Sequence, residues 1–211
     1  MVASKWYALE KYLTKLEEYL QDALGELDAK VSELLKQSKN LPPEGSENLV
    51  DLAGEYNYDR EEFPRILRNS FLVSAISLLE YEMDMICRRL KEEQQIPITL
   101  SDLHGNLLKR VKLYLKLAGL DLLYEDKIWK EITNYLKVRN CIVHNRGLLQ
   151  GDEEEKALIP YIKRKKILSE NDEREIALTA HFCKEVIQTI RKFTDKVWTK
   201  IYELPVRPKA R

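Results

Sequence analysis

Arginine, asparagine and histidine stand together at one place in this chain, the run Arg139-Asn140-Cys141-Ile142-Val143-His144. A histidine exchanges a proton near neutral pH, an arginine holds a phosphate with a fixed positive charge, and an amide orients either one. That combination suits cleavage of an RNA strand, which needs a base for the 2′-hydroxyl, an acid for the 5′ leaving oxygen and positive charge for the crowded phosphate. A second reading uses the same residues as an ordinary helix end, where His and Arg meet the negative end of the dipole and Gly147 stops the helix.

Helix geometry constrains how these side chains can meet. At about 100° per residue, Asn140 and His144 share a face, whereas Arg139 lies roughly 140° around from His144. One chain alone therefore makes an awkward site. A two-fold symmetric dimer that brings two copies of the helix end together would line one groove with Arg and His from both subunits.

The elements that position this run read as helices. Trp6, Leu9, Leu13, Leu16, Leu20, Leu24, Leu27, Val31 and Leu34 recur at spacings of three and four, which predicts a long amphipathic helix over 4–39 capped by Ser4. Asn40-Leu41-Pro42-Pro43-Glu44-Gly45-Ser46 breaks it, and the segment to Asp59 reads as loop. A second helix is predicted from about Pro64 to Glu93, apolar on nearly every side except for a row of Ser70, Ser74, Ser77, Tyr81 and Asp84. That row either admits the backbone of another helix or faces a polar cleft. Glu80 and Glu82 are the carboxylates of this helix that could support chemistry. A third helix, capped by Ser101 or Asp102 and stopped at Gly119, carries Leu103, Leu107, Val111 and Leu115. The fourth runs from about Asp126 to His144 and carries the Arg-Asn-His run at its C-terminal end. Between Gly147 and Ala177 the helical period is lost, and the runs Ala157 to Ile162 and Arg174 to Leu178 predict a small β-hairpin or irregular insertion. Thr179 caps a last helix ended by Pro205, and residues 205–211 read as a disordered tail. The expectation is a single all-α domain over 1–204, a bundle of about five main helices with its core over 64–201.

With 211 residues and 44% hydrophobic content, the chain can bury one sizeable core. Thirty-five basic and 35 acidic side chains give no net charge, which argues against whole-surface attraction to nucleic acid, so any RNA must meet a local patch. Lys163-Arg164-Lys165-Lys166 is the candidate patch, although acids at Asp152 to Glu155 and Glu170 to Glu175 flank it and could balance it on a solvated hairpin. No long apolar run and no apolar signal core occur, so the expected location is the cytoplasm, without a membrane partner. Cys87, Cys141 and Cys183 lie far apart in helical patterns, where free cysteine behaves as a small apolar residue. Glycine-rich phosphate loops, HExxH and GxSxG are absent, and neither a metal site nor a cofactor is expected. His104 and His181 sit near helix starts without matching partners.

The chain resembles the HEPN superfamily, the higher-eukaryote and prokaryote nucleotide-binding domains, whose RNase members carry an Arg, a polar neighbour and a His four to six residues on. Arg139, Asn140 and His144 match that motif, and the stretch Ser70 to Glu80 in the second helix looks like the bacterial defence and toxin branches. The similarity spans roughly Pro64 to Ile201. It implies an HEPN-like bundle and a metal-independent, homodimeric endoribonuclease in a toxin–antitoxin or anti-phage defence system, with an antitoxin or other defence protein as partner. Other members of the family are inactive nucleotide-binding or protein-interaction modules, so the fold alone does not decide activity. By the resemblance His144 is base or acid, Arg139 neutralises the phosphate and Asn140 orients the His or the scissile group; Glu80 either fixes Arg139 or forms an ordinary surface ion pair with nearby basic residues. Where one toxin branch has a tyrosine two residues after the His, this chain has Arg146, a further phosphate ligand or a solvent-facing cation at the helix end.

Overall fold

The computed structural model describes residues 2–120, 127–151 and 153–205. Among these, six α-helices are found: α1 Val2–Ser38, α2 Pro43–Gln94, α3 Leu107–Leu117, α4 Lys127–Asn145, α5 Glu153–Lys165 and α6 Ala180–Tyr202, with a 3₁₀ turn at Leu100–Asp102. The chain is therefore all-α, and no described helix is long and apolar enough to cross a membrane.

The centre of the fold is the second half of α2. Phe71, Leu72, Ala75, Ile76, Leu79, Met83, Ile86 and Leu90 are fully buried there, because α1, α3, α4 and α6 all pack against this stretch. The N-terminal half of α1 closes one side with Trp6, Leu9, Leu13, Leu16 and Leu20, the stripe its spacing predicts. Helix α6, which packs on both α1 and α2, contributes Phe182, Val186, Ile190, Phe193, Val197 and Ile201. Lys5 of α1 pairs with the buried carboxylate of Glu82 at 3.4 Å and lies over the Tyr81 ring. Glu82 is thus an anchor between α1 and α2. The three cysteines are buried and form no disulfide among the described residues.

Several sequence expectations are revised. Residues 46–59 are helical, since α2 begins at Pro43 and runs on through Pro64. An internal proline removes one backbone hydrogen bond at a cost of about 3 kcal/mol or more. Packing offsets it: the first half of α2 lies along α1, where Leu24, Leu27, Val31 and Leu34 are half-buried and Arg60 pairs with Asp28 at 3.0 Å. Helix α1 starts at Val2, so Ser4 lies inside it and not at its cap. Asn106, whose side chain accepts from Lys109 N, caps α3, while Ser101 and Asp102 belong to the preceding 3₁₀ turn. In place of a strand, Ala157 to Ile162 forms the middle of α5, which buries Leu158, Tyr161 and Ile162 at helical spacing. The only extended pairing among the described residues is two isolated antiparallel bridges, Leu148 with Glu175 and Leu168 with Ile176. Asp126 and the tail 206–211 lie outside the described residues.

Candidate functional site

Helix α4 carries the site, and its buried face fixes how the site is presented. Trp129, Ile132, Tyr135, Val138, Cys141 and Ile142 point into the core; the Trp129 ring tilts against Phe193 and Tyr135 meets Phe182 edge-on at 5.6 Å. Tyr135 also donates to Thr189 Oγ1 at 3.2 Å, which ties α4 to α6. With that face committed, residues 137, 140 and 144 must turn toward solvent.

The end of α4 is held by its own clasp. Arg146 and Gly147 take left-handed conformations, with φ of 55° and 81°, and reverse the chain. Gly147 O accepts from Ile176 N at 2.9 Å, and Leu149 N donates to Arg174 O at 2.8 Å. A buried carboxylate completes the anchor: Glu155 of α5 accepts from Asn145 Nδ2 at 2.8 Å and from Gly151 N at 2.7 Å. Charge-assisted bonds of this kind are the strong ones, so the residues that follow His144 are firmly held.

His144 and Asn140 open together into a cleft of about 240 Å³ that Lys137, Asn145 and Glu155 also line. Arg139 turns away from it, as the angular spacing requires. Its Nη2 pairs with Glu80 of α2, while Nη1 donates to Asn140 Oδ1 at 3.0 Å. Arg139 is only 19% exposed and its buried Nε has no hydrogen-bond partner. One chain therefore brings together Glu80, Arg139 and Asn140 by hydrogen bonds, and Asn140 and His144 by a shared cleft. Asn140 is the hinge between the two halves: its oxygen is engaged by Arg139, which leaves its NH₂ to donate into the cleft.

Arg146 lies elsewhere, in an open groove with Arg65, Asn69, Ser70, Ser74 and Ile142. The serine row of α2 faces outward: Ser70, Ser74 and Ser77 are exposed, so among the described residues no helix backbone packs on them. The basic run is distributed along the end of α5. Arg164 pairs with Glu131 at 3.2 Å and Lys165 with both Glu131 and Glu185, whereas Lys163 and Lys166 are exposed. Sequence reasoning passed over three residues of the His144 cleft. Lys137 sits seven positions before His144, two helical turns below it on the same face, and that spacing was a usable signal. Asn145 and Glu155 gave none, because their pairing depends on how α5 returns against α4.

No family model, curated protein or solved structure matches this chain. The functional reading accordingly stands on the residues and their geometry. Among the described residues, no group of three or more His, Cys, Asp and Glu side chains is placed to hold a metal ion. The cleft instead offers a proton-exchanging imidazole, an amide donor and a lysine, with the half-buried Arg139 behind Asn140.

Proposed function

We propose that this chain is an HEPN-like, metal-independent endoribonuclease that cuts RNA through its own 2′-hydroxyl and works in the cytoplasm as a homodimer. The observation that carries the reading is the hydrogen bond from Arg139 to Asn140, which couples a fixed cation to the cleft where His144 stands exposed. In this mechanism His144 of one subunit removes the 2′-hydroxyl proton and His144 of the other protonates the 5′ leaving oxygen. Arg139 neutralises charge on the phosphate as the pentacoordinate species forms, and the Asn140 NH₂ donates to a phosphate oxygen. Glu80 is a positioning residue that holds Arg139.

The dimer supplies what one chain lacks. His144 and Arg139 diverge within a protomer, and a second copy seated over the exposed serine row of α2 and the end of α4 brings its own Arg139 and His144 to the same groove. Arg146, with left-handed backbone and an exposed side chain beside that row, stands where the two copies would meet. Lys163 and Lys166 provide exposed positive charge for flanking RNA. Such an enzyme fits a toxin or anti-phage defence component held in check by an antitoxin or other protein partner.

A second reading has its own support. Arg139 finds both of its partners, Glu80 and Asn140, inside the chain, as a purely structural residue of an inactive binding or interaction module would. Incubation of the purified protein with mixed RNA, beside His144→Ala, separates the two. Cleavage that disappears in the variant supports the enzyme. Absence of cleavage by a folded, dimeric wild-type protein favours the inactive module.

A further inference from the structure

A second polar cavity, of about 540 Å³, opens between α2, the 3₁₀ turn and α3. Four charged side chains of α2 and one of α3 face it. One of the three cations and both acids are accounted for: Asp84 pairs with Arg88 at 2.8 Å, and Glu80 is taken by Arg139 from outside the cavity. Lys91 and Arg110 remain. Lys91 pairs with no carboxylate at salt-bridge distance among the described residues; it acts at longer range on Asp102, whose carboxylate is engaged by Thr99 N at 2.7 Å and Thr99 Oγ1 at 2.8 Å. Arg110 is half-buried, pairs with no carboxylate among the described residues, and has a buried Nε without any hydrogen-bond partner. A guanidinium nitrogen kept from water without a partner is costly, because it loses hydration and gains nothing in exchange. Such a group is stabilised by an anion.

The rest of the wall has a different character. Leu100, Leu107 and Tyr114 form an apolar side, and the Tyr114 hydroxyl is turned away to donate to Ile98 O at 2.9 Å. Burial, with Asp84 adding to it, pushes the Cys87 thiol up to about 12, so it lines the cavity as an inert apolar group and not as a nucleophile.

We propose that this cavity is a binding site for an organic phosphate, with the phosphoryl group held by Arg110 and Lys91 and its apolar body against Leu100, Leu107 and Tyr114. Arginine matches the oxygens of a phosphoryl group in a forked arrangement, and the lysine adds a point charge. Arg139 contributes indirectly by occupying Glu80, which otherwise would repel an anion entering the cavity. The phosphoryl group comes either from a free small molecule or from a strand of RNA. The site is independent of whether His144 cleaves RNA.

Isothermal calorimetry on the full chain tests this with three probes: inorganic phosphate, phenyl phosphate and a short single-stranded RNA. Phenyl phosphate should bind more tightly than inorganic phosphate, and Arg110→Gln should weaken it at least tenfold, with Lys91→Gln weakening it in the same direction. Both variants should keep the wild-type circular dichroism, and His144→Ala should leave phenyl phosphate binding unchanged. Binding of RNA alone, lost in Arg110→Gln, identifies the strand as the source of the phosphoryl group. Binding of the two small phosphates identifies a free ligand. The proposal is overturned if no probe binds at millimolar concentration, or if binding persists undiminished in Arg110→Gln.

Discussion

Replacing His144 and Arg139 separately by alanine should split stability from chemistry. His144 is exposed and no described side chain bonds to it, so His144→Ala belongs with surface substitutions, which stay within about 0.5 kcal/mol. Arg139 is different: it is 19% exposed, paired with a Glu80 that is 36% exposed, and bonded to Asn140. Its removal forfeits a charge-assisted pair and a neutral hydrogen bond, and leaves Glu80 partly stranded. Hydrogen bonds of this kind contribute about 1 to 3 kcal/mol, and since water can still reach Glu80 the lower half of that range applies. For a chain of this size each kcal/mol shifts the melting temperature by roughly 2 to 4 °C, so Arg139→Ala should melt about 2 to 8 °C lower and His144→Ala within about 2 °C of wild type. Loss of a general acid–base should slow cleavage by about 10² to 10⁴, and loss of the phosphate-stabilising cation by about 10² to 10³. Scanning calorimetry and a fluorogenic RNA substrate measure the two effects on the same preparations. Equal destabilisation by both variants would show that His144 has a structural partner, and unchanged cleavage by both would falsify the assignment of the site.

Three other outcomes follow from the same geometry. Arg146 pays the steric cost of a left-handed backbone, so Arg146→Gly should raise stability by about 0.5 to 1 kcal/mol; a fall in melting temperature would show that its side chain is a stabilising contact within the protomer. Light scattering at micromolar concentration should give twice the monomer mass, and a fully active monomer would remove the need for a composite site. Cleavage should persist in excess chelator, leave a 2′,3′-cyclic phosphate or 3′-phosphate, and fail on DNA and 2′-O-methyl RNA; products ending in 3′-OH would point to a metal-bound water as nucleophile.

What could be read from the sequence was whatever local periodicity encodes. The stripe from Trp6 to Leu20 was legible because each of its members is buried at a spacing of three or four. The first half of α2 was not, since between Pro43 and Pro64 only Ala53 is buried and no stripe exists to be seen. That segment is helical because α1 lies beside it, and pairing across a turn leaves little trace in residue types. The mistaken strand at Ala157 to Ile162 has another cause. Leu158, Tyr161 and Ile162 do follow helical spacing, but Ala157, Ile159 and Pro160 fill the gaps and disguise the period as a continuous apolar run.

The same distinction explains which half of the candidate site was visible. The divergence of Arg139 from His144 follows from 100° per residue alone, and the structure places the two side chains on different sides of α4 accordingly. Which partner awaits Arg139 is a tertiary matter, decided by α2 crossing α4 at Glu80, fifty-nine residues earlier in the chain. Glu155 makes the converse point. In the sequence it is one of a run of acids beside a basic cluster, and its role arises only because α5 doubles back so that one carboxylate reaches Asn145 and Gly151 together. Arg139 is thus held from α2 and the end of α4 from α5, so the two chemical groups are set by independent parts of the fold and joined through Asn140. A displacement of either support should change the relation between cation and imidazole, so if the proposed RNA cleavage occurs, Glu80→Gln and Glu155→Gln should lower it while both Arg139 and His144 are still present in the chain.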